Sequence, residues 1–161
     1  VLLNHPGALV VRTSAFFGPW DEHNFVTQAL AALDAGRPFA AASDQVVSPT
    51  YVPDLVNVCL DLLIDRECGL WHLTNGAALS WADLARRAAA AAGVDDALLE
   101  ARTAAELGLR APRPRNSAMS SERGLLLPSF DDALARYLRE REISKEQVGN
   151  VETLRQLSVR T

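Results

Sequence analysis

The sequence predicts an α/β protein: the C-terminal part of a doubly wound, Rossmann-like parallel sheet joined to a small mixed α/β cap. Three observations carry this. "GALVVRTS" (Gly7–Ser14) is a short apolar run rich in β-branched residues and bounded by Pro-Gly and Gly-Pro. That is the pattern of a strand buried on both faces inside a parallel sheet. Behind it, strand-like runs alternate with helical patterns, which is the α/β order. The strand signals also thin out after the first, as they do where a sheet ends and a cap begins.

The elements follow in order. "FFGPWDEHN" reads as an aromatic loop. "NFVTQALAALDAG" puts Phe25, Ala29, Leu30 and Leu33 on one helical face, with Asn24 as N-cap and Gly36 as the stop. "RPFAAASDQVVSPT" is short-strand and loop material. In "PDLVNVCLDLLID", Pro53 suits a first helical turn and Asp54 complements the positive end of the dipole. "GLWHLTN" alternates as a strand. Ser80 and Asp83 form a capping-box pattern for "SWADLARRAAAAAG", which ends at Gly93. "ALLEART" reads as one more short strand, and "LRAPRPRNSAMS" as a Pro/Arg-rich loop entering an extended segment. Ser129 and Asp132 cap "SFDDALARYLRERE", and Ser144 with Gln147 marks a further short helix in the polar tail. Trp71, Trp81 and Phe130 are expected in the core or at caps.

The 161 residues suffice for one domain with a sizeable core. A net charge of −4 argues against nucleic acid as partner, because a phosphate-tracking surface needs a basic excess. The positive charge is 15 Arg and the single Lys145. Cys59 and Cys68 lack a second Cys or a His at metal-ligand spacing, and His5, His23 and His72 are scattered, so no metal is expected. The reading is two reduced thiols in a cytoplasmic protein. No apolar run is long enough to span a membrane. The chain opens at Val1 without a methionine, which suits a piece of something longer.

Four places carry candidate chemistry. Arg12-Thr13-Ser14 closes the first strand, and open α/β sheets place ligands at the carboxyl ends of strands. Asn24 has two readings, a helix cap or a helix N-terminus facing a diphosphate. In "SDQVVSPTYVPDLVN" (Ser43–Asn57), Pro49 and Pro53 set an extended entry to the helix. Asp44 and Gln45 offer acceptors and an amide donor suited to sugar hydroxyls and a base edge, and Ser48 and Thr50 add hydroxyls. A solvated turn around Asp44 is the structural alternative. Arg113, in "RPRNS", suits two-pronged contact with phosphate oxygens, or packs on the surface.

Five pieces in order, "VVRTSAFFGP", "NFV", "DQVVSPTYVPDL", "GLWHLTNGAALSWADLA" and "RPRNSAM", resemble the second half of dTDP-4-dehydrorhamnose reductases of the extended short-chain dehydrogenase/reductase superfamily. The resemblance implies a nucleotide-sugar substrate, with NADPH as cofactor of the complete enzyme. It makes Ser14, Asn24, Asp44, Gln45, Ser48, Thr50 and Arg113 substrate-side residues, and sets Thr13 and Ser14 beside the nicotinamide. Members often carry Trp where this chain has Ala15. The family's Gly-x-x-Gly-x-x-Gly turn and Tyr-x-x-x-Lys pair are both missing from this sequence. No catalytic residue and no cofactor are therefore expected for this chain alone. Residues 1–142 are expected to form the substrate-binding portion and 143–161 a polar extension. The expected partner is a missing N-terminal cofactor domain or a second copy of the chain. Two alternatives remain open, a non-catalytic regulatory or binding module and one part of a fused bifunctional protein.

Overall fold

The computed structural model describes residues 4–109, 111, 113–124 and 126–142. The order is β1 (Leu9–Arg12), β2 (Phe16–Phe17), α1 (Phe25–Asp34), β3 (Phe39–Ala42), β4 (Val46–Val47), β5 (Thr50–Tyr51), α2 (Val52–Ile64), β6 (Gly69–His72), β7 (Leu79–Ser80), α3 (Trp81–Ala92) and β8 (Leu99–Arg102). A last helix, α4, covers 130–142. The strands pair in twos: β1 with β6, β2 with β5 and β3 with β8 in parallel, and β4 with β7 antiparallel. The expected α/β class and parallel pairing are present.

Local chemistry accounts for the helix ends. The Asn24 side chain accepts from the Thr27 N–H and starts α1, and Gly36 takes φ 63° just past its end. Ser80 accepts from the Asp83 N–H and donates to the Asp83 carboxylate. Gly93 closes α3 in the left-handed conformation that glycine adopts without strain. Ser129 accepts from the Asp132 N–H at the start of α4.

Two apolar clusters hold the elements together. The larger joins α1, α3 and α4 through Leu30, Leu84 and Leu134 around the rings of Phe17, Tyr51, Phe130 and Tyr137. Phe17 sits at its centre, 5.3 Å from Tyr51, 5.9 Å from Phe130 and 5.6 Å from Tyr137 between ring centroids. The smaller packs the inner face of α2 (Leu55, Val58, Cys59, Leu62) on Leu9, Val11, Trp71 and Leu73. Trp71 and Phe130 are core residues as expected, and Trp81 packs at the margin of the larger cluster.

β1 differs from its sequence expectation. Its residues are half-buried or exposed rather than buried on both faces, and among the described residues it pairs only with β6. Side chains alternate along a strand. Leu9 and Val11 meet α2, while Arg12 lines the opposite face with Leu70 and His72. There a cavity of about 460 Å³ is walled by the segment from Ala118 to Arg123.

Candidate functional site

The polar loop between β3 and β5 is held at several points. The Ser43 N–H and hydroxyl both donate to the Arg102 carbonyl. The Asp44 carboxylate accepts the Ala104 N–H at 2.8 Å. Val46 bonds the extended segment after Arg113: its N–H donates to the Arg115 carbonyl and its carbonyl accepts from the Ser117 N–H, each at 2.8 Å. The Ser48 hydroxyl accepts from the Met119 N–H at 3.0 Å. Thr50 donates to the Ser48 carbonyl at 3.3 Å and accepts from the Thr13 hydroxyl at 3.2 Å. Ser48, Pro49 and Thr50 are fully buried, so the hydroxyls of Ser48 and Thr50 are occupied inside the protein.

This wiring brings Asp44, Gln45 and Arg113 to one concavity of about 360 Å³, together with Arg115. Through Gln45, Leu109 and Arg113 it continues into a second concavity of about 430 Å³. The far wall of the second is aromatic, with Phe25 lying 5.4 Å from Phe39 and 4.6 Å from Trp81 between ring centroids. Both volumes lie within the range of small-molecule sites, roughly 300–1,000 Å³. The groove therefore runs from an aromatic surface, past a buried amide at Gln45, to two guanidinium groups. Arg113 is exposed and makes no ion pair among the described residues. Such guanidinium forks match phosphate oxygens, and aromatic faces stack on a planar base.

The other candidates lie elsewhere. Asn24 is buried and works as a cap: its amide donates to the Gly18 carbonyl at 3.1 Å and to the Thr27 hydroxyl at 2.8 Å, while its oxygen takes the Thr27 N–H. Thr13 and Ser14 are half-buried at the end of β1, and Thr13 is tied to Thr50. The next residue, Ala15, has φ 45°, a backbone region that strains a residue with a Cβ. A dinucleotide cofactor needs a glycine-led strand-to-helix turn to approach its pyrophosphate. The described helices α1 to α3 are instead entered from Asn24, Tyr51 and Ser80. Among the described residues no group of three or more His, Cys, Asp or Glu side chains is placed to hold a metal ion, and no helix is long and apolar enough to cross a membrane.

One junction is invisible to sequence patterning. Asp54, read above as a dipole residue of α2, is buried and meets the Arg136 guanidinium through both oxygens at 2.7 Å. Asn75 donates to the same carboxylate at 2.9 Å and accepts the Tyr51 N–H at 2.7 Å. The hydrogen bonds that Arg136 donates to Asp54 hold its guanidinium more firmly protonated than an ordinary one. Burial, reinforced by Glu140, pushes the Tyr51 phenol well above its usual range.

Residues 1–142 match the family described as the RmlD substrate binding domain. The chain belongs to that family. Among curated relatives it is 30% identical over 145 residues to the spore coat polysaccharide biosynthesis protein SpsK of Bacillus subtilis, covering 88% of this chain and 50% of that protein. It is 36% identical over 126 residues to a dTDP-4-dehydrorhamnose reductase of Mycolicibacterium smegmatis, covering 76% and 38%. The fold superposes with a TM-score of 0.75, at 28% identity, on a crystal structure of dTDP-4-dehydrorhamnose reductase from Bacillus anthracis in complex with NADP, covering 82% of this chain and 48% of that one. This RmlD-type chain thus spans about half the length of the curated relatives it matches.

Proposed function

We propose that this chain is the substrate-binding part of an NADPH-dependent nucleotide-sugar reductase of the dTDP-4-dehydrorhamnose type. The observation that carries the reading is the continuous groove that joins the Phe25–Trp81 aromatic wall to Gln45, Asp44, Arg113 and Arg115. The base stacks on the aromatic wall, and the two arginines take the diphosphate. Gln45 and the Asp44 oxygen that is not bound to Ala104 serve polar edges and hydroxyls. Ser48 and Thr50 shape the loop from inside, and Asn24 starts the helix that carries Phe25. The sugar lies toward Thr13 and Ser14 at the end of β1, where a nicotinamide held by the rest of the complete protein would meet it. In the complete protein the hydride would come from NADPH held outside this chain, and no residue of this chain is assigned a catalytic role. The binding unit is residues 1–142. The partner is a cofactor-binding half or a second copy, in a cytoplasmic protein with two free thiols.

The test is kinetic, in a complete protein carrying this domain. Arg113→Ala and Asp44→Ala are expected to raise KM for the nucleotide sugar more than KM for NADPH. Equal effects on the two substrates, or none, would overturn the assignment.

A further inference from the structure

A partly buried ionic junction lies at the downstream end of the loop that lines the groove. Asp54 stands in the first turn of α2, immediately after the loop that supplies Gln45, Ser48 and Thr50. A carboxylate there ordinarily serves the free N–H groups and dipole of its own helix. Here both oxygens are engaged by Arg136 of α4, and one of them also by Asn75. Asn75 in turn donates to the Pro128 carbonyl at 2.8 Å. Tyr51, the N-cap residue, makes no side-chain cap bond of its own. It is held by two members of the junction, its N–H by Asn75 at 2.7 Å and its ring face by Arg136 at 5.0 Å. The junction thus joins β5, the start of α2, the segment after β6 and α4 at one point.

A buried ion pair is poor evidence of stabilisation, because removing two charges from water offsets most of their attraction. What the two-pronged contact supplies is a fixed orientation. The loop's upstream end is fixed to other segments through Asp44, Val46 and Ser48. Its downstream end is held by the pairing of β5 with β2, the Thr50 N–H donating to the Ala15 carbonyl, the Thr13–Thr50 bond, the packing of the Tyr51 ring against Phe17 and this junction. We propose that Asp54, Asn75 and Arg136 are positioning residues, a clamp that sets the loop carrying Gln45 and thereby the width of the nucleotide groove. The inference rests on the groove reading given above.

The test uses the full chain with the variant Asp54→Asn, which keeps the shape and removes the charge. Two quantities are measured, affinity for thymidine diphosphate by calorimetry and amide hydrogen exchange residue by residue. Affinity is expected to fall on the order of tenfold, within the range by which a contact outside a site couples to binding there. Exchange is expected to speed up across residues 44–51 while α1 keeps its protection. Unchanged exchange in 44–51 would overturn the clamp. So would acceleration that is uniform through α1, which marks a purely structural bond, and so would faster loop exchange at unchanged affinity. Should the unaltered chain bind no thymidine diphosphate, the groove reading fails and the exchange pattern alone decides the clamp. Arg87→Gln, which removes an exposed ion pair to Asp131 of the same α4, is the control expected to leave both quantities unchanged; a shift matching that of Asp54→Asn would also overturn the proposal. If Asp54→Asn does not fold, Arg136→Lys takes its place, because it keeps the charge and loses the two-pronged fit.

Discussion

Tyr51 and Tyr137 are the chain's two tyrosines, and both are fully buried. Burial raises both phenols above their usual value of 10.0; for Tyr137 the Thr27 hydroxyl at 2.7 Å partly opposes the rise. A phenol whose folded value is raised contributes stability that is full below 10.0 and is lost as pH climbs through the shifted value. Tyrosinate absorbance is therefore expected to stay low at pH 10 and to rise together with alkaline unfolding. Titration of either ring at pH 10 in a folded chain would contradict the burial. Asp54→Ala leaves Arg136 without its main partner and is expected to destabilise by about 3 kcal/mol, read from denaturant unfolding. Asp44, Gln45 and Arg113 were legible as candidates because polar side chains in proline-shaped loops have few local tasks. The Asp54 junction was not legible, because Asn75 lies 21 and Arg136 lies 82 residues away along the chain.

Caps made the helices readable. Asn24, Ser80 and Ser129 each bond a backbone N–H three residues on, and Gly36 and Gly93 each follow a helix end. Ser80→Ala removes both halves of a reciprocal cap and is expected to cost about 1 kcal/mol in thermal or chemical unfolding. An unchanged stability would mean that tertiary packing alone holds α3. The two-residue strands β2 and β7 escaped sequence reading for a physical reason. Two residues carry no periodicity, and their pairing with β5 and β4 is fixed by contacts 34 residues apart, as between Phe16 and Thr50 or Val46 and Ser80. β1 is a parallel strand, as its sequence predicts, but is not buried on both faces, because the composition of one strand does not show whether a neighbour covers each side.

At the scale of the whole molecule, two apolar features share one implication. β1 has one strand partner among the described residues, and α2 carries an exposed stripe of Val56, Leu60, Leu63 and Ile64 on the side away from its packed face. Open strand edges pair, and exposed apolar stripes associate. The chain by itself is expected to self-associate in sedimentation at micromolar concentration, and Leu60→Glu with Ile64→Glu is expected to reduce that association. A monomer at all concentrations would contradict this. Calorimetric titration with thymidine diphosphate and with NADPH in parallel tests most directly whether this chain binds the nucleotide sugar rather than the dinucleotide. Saturable binding of thymidine diphosphate is expected, weakened about tenfold or more by Arg113→Ala as a charged hydrogen bond is lost, with no saturable heat from NADPH. Saturable NADPH binding without any response to thymidine diphosphate would contradict it.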